Sequence, residues 1–463
     1  MTDAVRKVSA EAAALHLHCD LIDALLGGTA AMRAAGKAHL PQWPAEDDAA
    51  YKVRLSVATL FPAYQRTVEV LGAKPFSKPV TFGDDVPQKL QEYCQDVDRN
   101  GSNLHAFLSA VGEEVLGYGF SGILVDYPPT RDEQDQPLYV TKAAEDEAGV
   151  RPYFVQIHPR NILGWRKDRT GLSQLRLLEI EQVEDGEFGT TDIEQVRVLG
   201  RGTWQIWRES EAAGKKVWIM HTQGTTTLKS IPFVPVNAKH PGSMVARPPL
   251  LELAYANVEH WQSKSDQQNI LHVARVPILF GKMLGDGVNI TVGAGVAVKA
   301  TTPEADLKFV EHSGKAIDAG RLSILDLEDR MRQAGAELLV IKPGNITESQ
   351  TLADNEQGAC ALQKVAENIE DAADQALQLM AEWVGEAEGG HITIYKDFGA
   401  ATLAEASAEL LLKSNQAGKL SDESYYEELQ RRGIRSPDVD WATEKERIDS
   451  QGPAPGTMPD DEP

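Results

Sequence analysis

The sequence predicts an α+β protein, and three observations support this class. Two long helical stretches, Pro248–Arg275 and Ala316–Gln333, flank a glycine-punctuated segment that is typical of short strands and turns. Residues 152–236 combine β-branched and aromatic side chains with partial alternation and turn residues, as an antiparallel sheet does. Apolar side chains recur every three to four residues through Leu352–Trp383, which predicts a long buried helix. The order of these elements indicates an elongated subunit that packs side by side in a ring.

The first 130 residues predict helices followed by one strand. Residues 1–40 are alanine-rich and helical, with a break at Gly27 and Gly28. Asp47 and Asp48 suit the start of the next helix, because negative charge is favourable at a helix N-terminus, and we interpret Asp84 and Asp85 in the same way. The periodicity predicts one buried face formed by Val53, Val57, Leu60, Tyr64, Val68 and Leu71. Helices over 87–96 and 103–117 come next, and GFSGILVDYPP reads as a strand closed by prolines.

The β-rich part of the chain follows a charged stretch at 131–150, which we expect to be a surface loop. Trp204, Trp207 and Trp218 could anchor the packed face of the predicted sheet. Near the end of the chain, Thr402 and Glu405 form a capping box, Gly418 ends that helix, and Ser421 can cap the next one, which Gly433 ends. The final SQGPAPGTMPDDEP is acidic and rich in Pro and Gly, which predicts disorder.

The predicted Pro248–Arg275 helix has an unusual distribution of apolar and polar residues along its length. Its first half is apolar at Leu250, Leu253, Ala254 and Trp261, whereas its middle, QSKSDQQN, is polar almost all round. A polar helix about 40 Å long is not expected inside a domain core. We therefore expect it to bridge outward, with neighbours supplied by other subunits or by the Ala316–Gln333 helix. An exposed hairpin in a monomer explains this segment equally well.

Composition limits the classes of function. The 463 residues carry a formal net charge of −23, so the chain will not coat a nucleic-acid backbone, although DNA could slide past it without adhering. No apolar run is long enough for a transmembrane helix, and the N-terminus reads as a helix start rather than a signal peptide. Cys19, Cys94 and Cys360 are odd in number and far apart, which argues against disulfides or a zinc site and predicts synthesis in a reducing cytosol.

Catalytic motifs are not evident. The sequence contains no P-loop, H-E-x-x-H, EF-hand loop or G-x-S-x-G, and Gly293-Ala-Gly295 lacks the third glycine of a dinucleotide site. Metal-ligand types gather at His16, His18, Cys19 and Asp20, but no second cluster accompanies them, so a polar surface patch is the favoured interpretation. We therefore predict no enzymatic activity, no cofactor and no bound metal.

Four segments of the sequence, taken in order along the chain, resemble parts of the portal proteins of tailed bacteriophages. RPPLLELAYANVEHWQSKSDQQNILHVARVPILFGK resembles the first stem helix and the entry to the clip. GRLSILDLEDRMRQAGAELLV resembles the second stem helix with the strand behind it. TESQTLADNEQGACALQKVAENIEDAADQALQLMAEWVG resembles the tunnel-loop exit and long wing helix, and TLAEASAELLLKSNQAGKLSDESYYEELQRRGI resembles the C-terminal crown. The resemblance spans about residues 50–450.

The resemblance implies a division of the chain into portal regions. A wing of helices and antiparallel sheet, a two-helix stem, a small α/β clip and a helical crown would follow an N-terminal helical arm. The implied boundaries are 1–50 for the arm, 51–245 for the wing, 246–275 for the first stem helix, 276–315 for the clip, 316–335 for the second stem helix, 336–400 for wing with tunnel loop and long helix, 401–450 for the crown and 451–463 for the tail.

The resemblance also implies function and partners. The subunit would form a homo-oligomeric ring of about twelve copies at one capsid vertex, in the virion, after synthesis in the host cytoplasm. The ring would contact the major capsid protein, dock the terminase large subunit during genome packaging, conduct double-stranded DNA, and then bind a head–tail adaptor or connector. No membrane is involved, and hydrolysis of ATP would belong to the terminase.

Site residues follow from the same resemblance. The tunnel loop facing DNA would contain Lys342, Asn345, Thr347, Glu348, Ser349 and Gln350. The clip that meets terminase and then the connector would use Lys282, Met283, Asp286 and Asn289. The stem would use Trp261, Lys264, Asp266 and Gln268. Alternatives are another virion structural or connector protein, an enzyme with a site near His16 to Asp20, and a monomeric scaffold without a viral role.

Overall fold

The fold is mixed α+β, as the sequence predicts. A computed structural model describes residues 4–128, 130, 136–212, 215–274, 278–282, 304, 306–310, 315–336, 360–396, 411–431 and 439–450. The helices, numbered α1 to α13 along the chain, are Ala10–His16, Cys19–Leu26, Gly28–Ala35, Asp48–Val57, Ala63–Ala73, Gln88–Tyr93, Leu104–Tyr118, Lys142–Glu147, Leu251–Ala274, Lys315–Ala336, Ala361–Val384, Asp422–Arg431 and Trp441–Ser450. None of these described helices has the length and apolar character that a membrane crossing requires.

The strands form antiparallel sheets. Numbered β1 to β12, they are Thr81–Phe82, Phe120–Asp126, Tyr153–Ile157, Ile162–Asp168, Gly171–Asp185, Gly189–Gly200, Thr203–Ala212, Lys215–Thr225, Phe233–Asn237, Ile278–Lys282, Asp306–Val310 and Ile392–Thr393. Five of them make a meander in the order β4-β5-β6-β7-β8, and a smaller sheet has the order β3-β2-β9. The remaining pairs are β1 with β12 and β10 with β11.

The main core lies between the helices and one face of the smaller sheet. Ile123 and Val125 of β2 face this core, whereas Phe120 and Leu124 face a second core shared with the meander. Alternate residues of a strand point to opposite faces, so the run of buried side chains in β2 reflects cover on both sides. The central long helix α11 contributes Ile369, Leu377 and other apolar residues to the main core, as its periodicity predicts.

The predicted sheet at 152–236 is confirmed, and its tryptophans pack on both faces. Trp218 belongs to a third small core, against which Trp207 packs, and Trp204 packs against the second core. Three local predictions are also confirmed. Asp47 Oδ1 accepts a hydrogen bond from the Ala50 amide, and Ser421 Oγ accepts one from the Ser424 amide. Gly418 has a φ of +68° just after the helical residues 411–416.

Three local predictions are wrong. The helix predicted from Asp47 to Leu71 is interrupted before Pro62, and Val53 and Val57 are exposed because Tyr51 and Arg54 form the buried face of α4. The stretch predicted as loop contains α8. Asp85 does not cap α6; its carboxylate pairs with the His391 ring, with 2.5 Å between Oδ2 and Nδ1. Thr402, Glu405, Gly433 and the acidic tail lie outside the described residues.

Residues predicted to form the N-terminal arm contribute to the same core as the later helices. Ile22 and Leu25 of α2 and Met32 of α3 are fully buried there. Apolar burial of this kind is the main force that holds helices together, so the helices α1 to α3 are packed onto the rest of the protein.

Candidate assembly site

The two long helices α9 and α10 form an antiparallel pair that leaves the main core. At the start of α9, Leu251 and Leu253 are buried, and Trp261 is 0% exposed. Farther along, Asn269, Ile270 and His272 are exposed. α10 runs in the opposite sense, exposed near its start and buried towards its end at Leu327 and Met331. The far end of the pair therefore projects from the body of the protein.

Strands β10 and β11 lie at that projecting end. β10 follows α9 and β11 precedes α10, and the two strands pair antiparallel with Ile278 opposite Val310 and Lys282 opposite Asp306. The described residues therefore follow the order that the sequence predicts, with a long helix, two paired strands and a second long helix that packs against the first.

Polar side chains join α9 to α10. The His260 ring lies with Nε2 3.2 Å from Glu328 Oε1, and Gln267 Nε2 donates a 2.8 Å hydrogen bond to the Ile317 carbonyl. Burial lowers the pKa of His260, and the hydrogen bond to Glu328 opposes that change. The absence of a side chain at Gly320 leaves space for the Gln267 side chain, because a Cβ at position 320 would lie 2.2 Å from the Gln267 Oε1 atom.

The neighbour of the polar middle of α9 is α10, which is one of the two neighbours that the sequence predicts, and the contact between the two helices buries part of that polar middle. Ser265 and Gln267 are 3% and 9% exposed. His260 Nδ1, Trp261 Nε1 and Ser265 Oγ are also buried, and they have no hydrogen-bond partner within the described part of the chain. Buried polar groups need specific partners, so they restrict how two helices can pack.

On its other side, α9 is tied to the segment that contains α4. Gln262 Nε2 donates to the His39 carbonyl at 3.0 Å. The Asn257 side chain accepts from the Tyr64 amide and donates to the Phe61 carbonyl, at 2.9 and 2.8 Å. These bonds fix the junction between α4 and α5 against α9.

Arg54 completes this attachment. Its guanidinium is bound by both carboxylate oxygens of Glu46, at 2.7 and 2.8 Å, and by the Pro41 carbonyl at 2.7 Å. It lies over the Trp43 ring and 3.9 Å from Asp266 of α9. The side chains of Arg54 and Glu46 are each only 4% exposed. Sequence reasoning missed this pair, since nothing in the local pattern marks Arg54 as buried.

The predicted stem residues have different environments. Trp261 is a core anchor, and Asp266 faces Arg54, while burial raises the pKa of Asp266. Lys264 and Gln268 are half-buried on α9. Only Trp261 and Asp266 thus have defined roles in packing.

The predicted clip and tunnel residues fall largely beyond the described ranges. Lys282 is exposed at the end of β10. Met283, Asp286 and Asn289 of the clip, and Lys342, Asn345, Thr347, Glu348, Ser349 and Gln350 of the tunnel loop, lie outside the described residues.

The side chains between His16 and Asp20 that are of metal-ligand type make hydrogen bonds, ion pairs and packing contacts within the protein. His16 Nε2 lies 2.9 Å from the Pro159 carbonyl, and Asp20 pairs with Arg160. The buried Cys19 thiol lies near the Leu15 carbonyl, and burial raises its pKa to about 11. Over the residues that the structure describes, no group of three or more His, Cys, Asp or Glu side chains could hold a metal ion.

An open pocket of about 390 Å³ lies elsewhere, between α11 and the segment that carries Asp85. Its lining includes Asp374, Glu388 and the Asp85–His391 pair. Asp374 Oδ1 accepts a hydrogen bond from the Ile392 amide, so this carboxylate has a structural role in holding β12.

Comparisons with known proteins give few matches in sequence. Residues 249–384, from α9 through α11, match a family described as a domain of unknown function, DUF4055. No curated protein sequence matches the chain.

Among the solved structures that match the chain, three come from gene transfer agent (GTA) particles. A chain in the neck of an empty GTA particle, computed with C6 symmetry, is 13% identical with a TM-score of 0.41, over 80% of this chain and 90% of that one. A chain of the native GTA virion is 13% identical with a TM-score of 0.40, over 80% and 89%. A chain from the neck of the native particle, computed with C12 symmetry, gives 12% identity and 0.40 over the same shares.

Proposed function

We propose that this chain is the portal-type subunit of a tailed-phage-like particle. It would form a ring at one capsid vertex through which double-stranded DNA is packaged and ejected. The observation that carries the proposal is the projecting α9/α10 pair, which leaves the core and bears a small β module between its two helices. The four sequence segments that resemble portal proteins occur along this chain in the order that they have in portal proteins, and they support the same assignment.

In this proposal α9 and α10 are the stem, and the segment around β10 and β11 is the clip. The clip, with Lys282, Met283, Asp286 and Asn289, binds the terminase large subunit during packaging and a head–tail adaptor afterwards. The five-stranded meander belongs to the wing, which meets the major capsid protein. α12 and α13 belong to the crown.

The loop containing Lys342, Asn345, Thr347, Glu348, Ser349 and Gln350 lines the channel in this proposal. These side chains are mostly polar and uncharged, and the whole chain carries a net charge of −23. Binding to DNA strengthens with each cation that displaces counterions from phosphates, so a wall with one lysine would hold the duplex weakly. Weak adhesion suits a conduit through which DNA must move.

The first test is electron microscopy of the purified protein. The expected result is a ring of about twelve subunits with an axial channel, because head-to-tail interfaces close into cyclic assemblies. Monomers or two-fold dimers, at micromolar concentrations and physiological salt, would refute the proposal. A ring alone does not separate a portal from a connector, so a second measurement is needed.

Binding of the terminase large subunit from the same particle provides that separation. We expect the ring to bind terminase and Lys282→Glu to weaken this binding, because the substitution reverses the charge of an exposed clip residue. Lys229→Glu, at an exposed lysine distant along the chain, is the matched control and should bind as the wild type does. A ring that does not bind terminase but binds a separate portal ring would identify the chain as a connector instead.

A further inference from the structure

Two of the helices around α9 carry apolar faces that no other part of the described chain covers. On α4, Val53 and Val57 are 64% and 56% exposed; we refer to these two residues as the α4 face. On α10, Leu322 and Leu325 are 53% and 43% exposed; these two form the α10 face. Exposed apolar residues spaced at three or four along a helix make one continuous strip.

Each face points away from the body of the subunit. Tyr51 and Arg54 mark the buried side of α4, and Leu327 and Met331 mark the buried side of α10. At 3.6 residues per turn, Leu322 and Leu325 lie roughly 140–160° around the helix from Leu327. The two faces are therefore outer surfaces of their helices.

The two helices also attach to different sides of α9. The α4 segment is held through Gln262 and Asp266, whereas α10 is held through His260 and Gln267. These two sets lie roughly 100–160° apart around α9. The α4 face and the α10 face are thus placed on opposite flanks of one three-helix layer.

We propose that the α10 face of one copy packs onto the α4 face of the next copy, and that this contact repeats around the ring. The proposal rests on the ring-forming function proposed above and names its interface. Large leucines on one side and smaller valines, with exposed Ala49 and Ala50 beside them, on the other allow the side chains to interdigitate.

Placement on opposite flanks favours this pairing over a two-fold contact between identical faces. A contact between two α10 faces, or between two α4 faces, uses the same surface of both copies and ends at a pair. A contact between unlike faces leaves one face free at each end, so further copies can add until a ring closes. The partner of each face is therefore the other face of a second copy.

The test blocks each face separately in the full chain. Leu322→Glu/Leu325→Glu blocks the α10 face, and Val53→Glu/Val57→Glu blocks the α4 face. We expect each variant to remain monomeric in analytical ultracentrifugation, with an unchanged circular dichroism spectrum. Leu17→Glu/Val70→Glu, at residues 72% and 61% exposed, is the matched control and should still form rings.

Mixing the two blocked variants tests the head-to-tail arrangement. One variant keeps its α4 face and the other keeps its α10 face, so one molecule of each can form a single contact. An equimolar mixture should therefore give dimers and nothing larger. Rings formed by either blocked variant, loss of rings in the control, or an entirely monomeric mixture would each overturn the proposal. If the wild type itself forms no ring, the failure lies with the proposed function; if only these variants behave unexpectedly, it lies with the interface.

Cross-linking covers the case in which a glutamate variant fails to fold. Cys19, Cys94 and Cys360 are buried, so thiols introduced at the surface are the accessible ones. A Val57→Cys/Leu322→Cys double variant treated with a bismaleimide should give a ladder of covalent oligomers from assembled rings. Each single-cysteine variant should give no ladder, because position 57 of one copy meets position 322 of the next copy and a single variant carries a thiol at only one of these positions. Rings of the double variant that give no ladder would overturn the interface.

Discussion

The buried Arg54–Glu46 pair gives the sharpest prediction about stability. Replacing Arg54 by Met removes two hydrogen bonds to the Glu46 carboxylate and one to the Pro41 carbonyl. It also leaves a carboxylate that is 4% exposed without its cation. Breaking a buried pair in this way costs about 3–5 kcal/mol, more than the bonds alone would suggest, because the remaining charge stays desolvated.

A double-mutant cycle isolates this effect. We expect Arg54→Met to lower the free energy of unfolding by about 3–5 kcal/mol, and Arg54→Met/Glu46→Gln to recover about 2 kcal/mol of that loss, because no charge then remains buried. The measurement is urea unfolding followed by circular dichroism, at one fixed protein concentration because assembly stabilises the folded state. Lys216→Met, which breaks the exposed Lys216–Glu209 pair, is the control and should cost less than about 1 kcal/mol.

The same pair predicts a pH dependence. The hydrogen bonds from Arg54 lower the pKa of Glu46, so the coupling is fully present above the unfolded pKa of about 4.3. It is lost as the pH falls through the lowered folded value, because the protonated carboxyl no longer binds the guanidinium as a charge. Additive single substitutions at pH 7, or a coupling that grows below about pH 4, would refute this reasoning.

Three further predictions concern the helix pair. Trp261→Ala should cost about 3–5 kcal/mol in urea unfolding, since this side chain is 0% exposed, whereas Tyr255→Ala, at a side chain 49% exposed, should cost under about 1 kcal/mol. Gln267→Ala should cost about 1 kcal/mol in the wild type and almost nothing in a Gly320→Ala background, where the new Cβ has already displaced the Gln267 amide; equal costs in both backgrounds would contradict this contact. Because burial lowers the pKa of His260, the unfolded chain binds the proton more readily, so stability should fall as the pH drops below about 6.5; His260→Gln should flatten this slope, and an unchanged slope would count against it.

The sequence predicts the helices of the assembly site well and their surroundings poorly. The sequence predicts α9 at Pro248–Arg275, since apolar spacing follows a proline pair there, and the helix spans Leu251–Ala274. The burial of Ser265 and Gln267 could not be predicted, since the carbonyl that satisfies Gln267 belongs to Ile317, fifty residues later in the chain. Long-range partners of this kind leave no local pattern.

The same limit explains the errors on α4. Val53 and Val57 fit an apolar period with Leu60 and Tyr64, but Pro62 and the extended backbone at Ala58 break that period in space. The valines then face solvent, while Arg54 is buried because Glu46, Trp43 and Pro41 surround its charge. An apolar period identifies a face; it does not identify whether that face meets the core of its own chain.

In the proposed ring, closure gives a reason for the polar attachments around α9. A ring of about twelve subunits turns by about 30° at each interface, and an error in that angle accumulates at every joint. The angle depends on how α4 and α10 are held relative to one another, because the proposed interface joins one to the other in neighbouring copies. Apolar packing alone tolerates sliding and rotation, whereas hydrogen bonds to buried polar groups fail when the geometry changes. The bond of Gln262 on one flank of α9, and those of His260 and Gln267 on the other, would therefore set the subunit number.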